Sequence, residues 1–162
     1  MTEALLPVGV ALHKLTPQGA VDLWESLKSY DALWPDSTRG DVVGWVEFAL
    51  APTTLFLRGD DGQSMYVLSS IHEGLKARVH AVFHDHKLHP RVGVLRGLLA
   101  WAMFEFDLYK LEARVPDFSC ALRRFLQKDL HFHLDGTLRD DFWWKGQLHS
   151  TIALSILRDE VV

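Results

Sequence analysis

Histidine is the residue type whose spacing first suggests chemistry in this chain. His80, His84, His86 and His89 fall close together, and His131 and His133 form a second group. Residues two apart on a strand share a face, so His84 with His86, or His131 with His133, could chelate a cation. A zinc site needs three or four ligands. No cysteine helps here, and Asp85 would point to the opposite face, so no metal is expected. The other readings are a solvated polar face or, with Lys87, an anion site made of protonated imidazoles. His84 is also a candidate general base, because an imidazole titrates near neutral pH. Ser119 offers a hydroxyl, although a serine at that place first reads as a helix cap. Cys120 reads as a buried small residue rather than a nucleophile. Trp143 and Trp144 are adjacent. On a strand they face opposite sides, and an exposed one could anchor a protein partner; the other reading has both covering the sheet edge or core.

Composition narrows the frame. The chain of 162 residues is 48% hydrophobic and 23% charged, with a net charge of -4. This length and mix suit one globular domain, residues 1–162, with a sizeable core. The mild negative charge offers no field to a phosphate backbone, and Arg123 with Arg124 is too small a patch, so no nucleic-acid partner is expected. A single cysteine permits no internal disulfide. Met1 to Leu12 lacks a basic start and a long apolar run, so it does not read as a signal peptide. No apolar stretch is long enough to cross a bilayer, so no membrane partner is expected and a cytoplasmic location, in a host or a viral context, is the default.

Strands and helices alternate along the chain. Val8, Val10 and Leu12 alternate as a first strand. Thr16 before Pro17 starts a helix carrying Ala20, Leu23, Trp24 and Leu27. Tyr30 to Arg39 reads as a loop, and Val42 to Leu50 as a second helix ended by Pro52. Thr53 to Arg58 and Ser64 to Ser69 form a hairpin about Asp60-Asp61-Gly62. Lys76 to Phe83 is a fourth strand with Ala77, Val79, Ala81 and Phe83 on one face. After a loop from His84 to Val92, Leu95, Leu98, Leu99, Ala102, Met103 and Phe106 make one helical stripe. Lys110 to Val115 alternates strictly as a strand. Asp117 or Ser119 starts a helix with Leu122, Phe125 and Leu126. Two last strands, Leu130 to Leu134 and Leu148 to Leu157, flank a loop rich in Asp and Trp.

The order β-α-α-β-β-β-α-β-α-β-β is that of the GNAT N-acetyltransferases, and the second half resembles the family in residues. Leu98 to Val115 resembles the third helix and fifth strand of the branch that acetylates ribosomal-protein N-termini. Arg124-Phe125-Leu126-Gln127-Lys128, Asp135-Gly136-Thr137-Leu138-Arg139 and Ser155 to Glu160 are similar to its later pieces. The resemblance implies an α/β fold with a mixed sheet of about six to seven strands flanked by about four helices. It implies acetyl-CoA as cofactor and a protein N-terminus or small amine as substrate. Residue by residue, Phe83 and His84 would supply backbone groups at the end of the fourth strand, and Arg91, Val92, Gly93 and Val94 would face the pyrophosphate at the start of the third helix. Ser119 would stand nearest the leaving thiolate, and His84 would be the base. The chain departs from the pattern at Pro90 and Leu95 in the phosphate loop. It also carries Ser119 for Asn, Leu122 for Ser, His131 for Gly and Ser150 for Asp. These departures keep an alternative open: a non-catalytic GNAT-fold building block or adaptor in an assembly such as a phage particle, working through Trp143 or Trp144.

Overall fold

The computed structural model describes residues 5–161. In chain order the elements are β1 (Val10–Leu12), α1 (Pro17–Leu27), α2 (Val42–Leu50), β2 (Leu55–Gly59), β3 (Ser64–His72), β4 (Lys76–Phe83), α3 (Val92–Glu105), β5 (Lys110–Pro116), α4 (Cys120–Asp129), β6 (His133–Trp144) and β7 (Gln147–Leu157). The strands form one seven-stranded sheet in the order β1-β2-β3-β4-β5-β7-β6. Every pairing is antiparallel except that of β4 with β5. Parallel neighbours need a crossover, and α3 supplies it. The expected mixed α/β sheet with its flanking helices is therefore what the chain forms. No helix among the described residues is long and apolar enough to cross a membrane.

Alternation along the strands decides which helices cover which face. On β3, Tyr66 and Leu68 pack with Leu98, Leu99 and Met103 of α3 and with Phe125 and Leu126 of α4. Met65 and Val67 point the other way, to Ala20 and Leu27 of α1 and Ala49 of α2. Local chemistry sets the element ends. The Thr16 hydroxyl accepts from the Gly19 N–H at 3.0 Å, with Pro17 at the first helical position. Asp61 Oδ1 accepts from the Gln63 and Ser64 amides, both at 2.9 Å, and fixes the β2–β3 turn with Gly62 at φ +65°.

Two expectations are corrected at the C-terminal end. The Asp- and Trp-rich segment is not a loop but most of β6, a strand of 12 residues. It is an edge strand paired only with β7, so Arg139, Asp140 and Asp141 meet water without leaving the sheet. The pairing is irregular between Leu138 and Phe142, which breaks the alternation that reveals a strand in sequence. Residues 130–132 are not strand: Leu130 and Phe132 enter the core while His131 turns the chain at φ +60°. The Phe132 N–H then reaches back to the Leu126 carbonyl at 2.9 Å. That left-handed position after a helix favours glycine. His131→Gly should raise the unfolding free energy by about 1 kcal/mol, and Thr16→Ala should lower it by about 1 kcal/mol, both read from urea denaturation.

Candidate functional site

The central feature is a parting in the sheet. β4 and β5 pair at Lys76↔Lys110, Ala77↔Leu111 and Arg78↔Glu112, and then separate. Each stays bound on its outer side. β4 pairs with β3 as far as Ser64↔Phe83, and β5 pairs with β7 as far as Pro116↔Thr151. The His84 N–H donates to the Gln63 carbonyl at 2.8 Å. In an antiparallel ladder that bond phases the strand: Arg78, His80 and Val82 spend their backbone groups on β3, whereas Val79, Ala81 and Phe83 turn theirs toward the parting. The Asp117 N–H to Ser150 carbonyl bond, 3.0 Å, phases β5 so that the Arg114 backbone also faces the gap.

A cavity of about 390 Å³ fills the parting. Val79, Ala81, Phe83, Leu95, Ala113 and Val115 line its inner part, and Ser119 borders it. Its other end is walled by Leu33 and Pro35 from the α1–α2 loop and by Arg114, Asp141 and Phe142. That loop is tied to the β6–β7 turn. Asp36 accepts from the Lys145 N–H at 2.9 Å and the Gly146 N–H at 2.8 Å, and Trp144 Nε1 donates to the Asp31 carbonyl at 3.0 Å.

Arg91 does not sit as expected. Its side chain is buried and turned inward: Nη2 lies 3.0 Å from Asp61 Oδ2, Nη1 2.8 Å from Asp85 Oδ1, and Nε donates to Ser64 Oγ at 2.5 Å. The guanidinium also lies 4.8 Å from the centre of the Phe83 ring. Its hydrogen bond with Asp85 holds that carboxyl below the usual carboxylate range and raises Arg91 in turn. At Asp61, burial pushes the pKa up, but bonds from Ser64 and the Gln63 amide together with Arg91 outweigh it, and the net shift is downward. The Arg91 and Val92 amides are spent on Leu88 and His89 carbonyls in a short 3-10 turn, so what remains of the expected loop is the first turn of α3 at Gly93 and Val94. No side chain caps that helix start, and a Cβ built on Gly93 meets nothing within 4 Å. Leu95 is buried and forms part of the cavity wall. Beside the loop, a groove of about 510 Å³ is lined by Lys87, His89, Arg124 and Lys128, with Asp129.

The histidines are dispersed. His84 follows the end of β4 on the α1 face, where Nδ1 pairs with the Tyr30 hydroxyl at 2.6 Å. It lines a separate cleft with His13 and Arg58, so the structure does not bring it together with Ser119. Its own amide, bonded to Gln63, is not free to face the gap. His86 lies beyond β4 at φ +56° and His131 precedes β6, so neither histidine pair shares a strand face. Among the described residues no group of three or more metal-binding side chains converges. Ser119 holds the N-cap position of α4, yet its hydroxyl makes no capping bond. Cys120 is exposed, not buried, because the first turn of α4 lifts it off the sheet. Trp143 is exposed and Trp144 half-buried, stacked on Phe118 at 4.4 Å.

Two polar pairings lie outside the reach of the sequence. His80, one of the clustered histidines, donates to or accepts from Ser69 Oγ at 2.8 Å, and burial lowers its pKa to about 4, so it is neutral. His149 Nδ1 pairs with Asp117 at 2.9 Å, while its Nε2 is buried without a partner among Phe118, Phe142 and Trp144. Only the β5–β7 register joins Asp117 to His149, and no local spacing announces it.

Compared by sequence, the chain matches no family model and no curated protein. Compared by structure, it overlays a probable acetyltransferase with a TM-score of 0.69, at 17% identity over 96% of this chain and 97% of that one. Mutant forms of the spermidine/spermine N-acetyltransferase of Vibrio cholerae overlay with a TM-score of 0.70, at 14% identity over 94% and 96%. The fold is that of the GNAT acetyltransferases. A GNAT-family acetyltransferase of Bacillus anthracis matches it too, with a TM-score of 0.69 at 11% identity over 95% and 98% of the two chains. At these identities the likeness is one of GNAT fold, and the ribosomal-protein branch is not singled out.

Arg91→Met leaves two carboxylates without their shared partner and should lower Tm by about 10 °C. Asp61 and Asp85 have depressed folded pKa values, so the stability they lend is complete above the ordinary Asp value and is lost as pH falls through the folded values. The Tm difference between wild type and Arg91→Met should therefore shrink between neutral pH and about pH 3. A constant difference would show that the ion pairs are not its cause.

Proposed function

We propose that this chain is an acetyl-CoA-dependent N-acetyltransferase acting on a small amine or a protein N-terminus. The observation that carries the reading is the parting of β4 from β5, with its cavity of about 390 Å³ and its edge of free backbone groups. A narrow apolar slot edged by peptide groups suits the amide-bearing arm of coenzyme A. The open space beside Gly93, at an uncapped helix start where the dipole favours an anion, suits a pyrophosphate. Lys87, Arg124 and Lys128 give the adjoining groove the sign that further phosphate needs. The building-block alternative has the exposed Trp143 in its favour, and the cavity in the parting gives it no role.

Acetyl-CoA, when bound, supplies an acetyl thioester. The chain does the rest by position and polarity. Val79 and Ala81 present N–H and C=O groups that hold an extended arm in strand-like fashion. The Phe83 N–H lies on the same edge, placed to donate to an oxygen that gains negative charge. The Ser119 hydroxyl is free of helix capping and borders the cavity, where it can pass a proton to a departing sulfur. For removal of the amine's proton, Asp141 presents a carboxylate inside the cavity, and the His84 imidazole stands at the tip of β4 in the neighbouring cleft.

Acetyl-CoA at a hundred times its Kd should stabilise the chain by about 2.7 kcal/mol, read as a rise in Tm. Gly93→Val should fold, because a Cβ at that position meets nothing within 4 Å, and should lose that rise. An unshifted melting curve with both CoA and acetyl-CoA would remove the reading.

A further inference from the structure

The end of the cavity away from α3 carries two opposite charges that, among the described residues, are not paired with each other or with any other ionised group. Arg114 of β5 lines it with an exposed side chain, and no ion pair or side-chain hydrogen bond engages its guanidinium among the described residues. Arg78 lies on the same face of the neighbouring strand at the point of parting, and its Nε is buried without a partner. Burial first, and then the charge of Arg114, hold the Arg78 pKa below its usual value against the opposing pull of Glu112. Glu112, the register partner of Arg78 on β5, is already engaged by Lys76 at 3.0 Å and Lys110 at 3.7 Å. The second charge is Asp141 of β6. Among the described residues its Oδ2 accepts only the Thr151 hydroxyl, at 2.6 Å, and no cation pairs with it. Leu33, Pro35 and Phe142 supply apolar wall beside these groups.

A free cation, a free carboxylate and apolar surface in one cavity are the complement of a zwitterion with an apolar body. A guanidinium binds a carboxylate through two parallel hydrogen bonds, and a carboxylate binds an ammonium. A polyamine gives Arg114 no partner and brings positive charge up to Arg78 and Arg114, which costs free energy in a partly desolvated site. We propose that the acceptor is an α-amino acid with an apolar side chain, its carboxylate held by Arg114 with Arg78 behind it and its ammonium by Asp141. The inference rests on the transferase reading and narrows it. In the reaction Asp141 takes one proton from the ammonium, and the freed nitrogen pair forms the N–C bond as the C–S bond breaks. The second amine proton goes to the departing sulfur, and Asp141 releases its own to water.

The test uses the full chain with acetyl-CoA and three amines: phenylalanine, phenylalaninamide, which lacks the carboxylate, and spermidine. Release of free thiol reports turnover. Phenylalanine should be the best substrate by kcat/KM, by about tenfold or more over its amide, since the amide leaves Arg114 unmatched. Arg114→Gln should raise KM for phenylalanine about tenfold or more, leave the Tm rise with CoA unchanged and erase the preference for phenylalanine over its amide. Arg114→Lys should recover part of the loss, and Arg114→Glu should turn the preference toward spermidine. Asp141→Asn should lower kcat about a hundredfold with CoA binding intact. Faster turnover of spermidine, or equal turnover of phenylalanine and its amide, overturns the proposal. If neither CoA nor acetyl-CoA shifts Tm, the transferase reading fails by itself. Equilibrium titration of the chain with phenylalanine and its amide then decides: tighter binding of phenylalanine that Arg114→Gln abolishes upholds the zwitterion site, and equal binding ends it.

Discussion

The structure depends on one constraint: β4 and β5 are held together over only three residue pairs and are pulled apart beyond them by stronger outer attachments. A strand bonded along one side has half of its peptide groups unspent, and buried unspent groups are costly. The molecule accepts that cost at one place, where the groups edge a cavity rather than dry core. The free strand edges, Ser119 and Asp141 all lie along this opening. α3 walls one end with Leu95 and Leu99 because it must cross over between the two strands. The α1–α2 loop and the β6–β7 turn close the other end.

Arg91 shows how an ordinary-looking loop residue can carry a fold. A guanidinium with almost no exposure is tolerable only when opposite charge and acceptors surround it. Asp61 from the β2–β3 turn, Asp85 from the β4–α3 loop and Ser64 from β3 do so here, and the Phe83 ring lies beneath. One side chain thereby connects the turn that starts β3 to the loop that starts α3. Facing the solvent mouth, it could not do this.

How much of this was legible in sequence varies with the physics that set each part. α2 and β4 fall where the periodicity and the flanking turn residues put them, because their apolar faces alternate cleanly and nothing interrupts them. The α3 stripe is plain for the same reason. β6 was not legible. Its outward side chains are Asp and Arg, its ladder is irregular at Asp140 and Asp141, and an edge strand needs no apolar alternation on its solvent side. The carboxylate that matters most in the cavity, Asp141, was hidden by that error. Ser119 came from resemblance and borders the opening, and Gly93 and Val94, from the same source, form the first turn of α3. His84 came from resemblance as well, and the parity of β4 places it on the other face. The pairs Asp117 with His149 and Arg91 with Asp61 join segments brought together only by sheet register and crossover, so no window of sequence contains them.

The two bonds from Asp36 to the β6–β7 turn have a consequence for how a guest is received. Lys145 and Gly146 both adopt left-handed backbone angles, φ +50° and +73°, to aim their amides at one carboxylate. The turn and the facing loop are thereby fixed in one arrangement before anything enters. The conformational entropy of ordering that wall is lost on folding and not again on association, so the pocket is preorganised. Such a rim selects by shape among guests of similar charge, and it favours compact molecules over long flexible ones that would need it to yield.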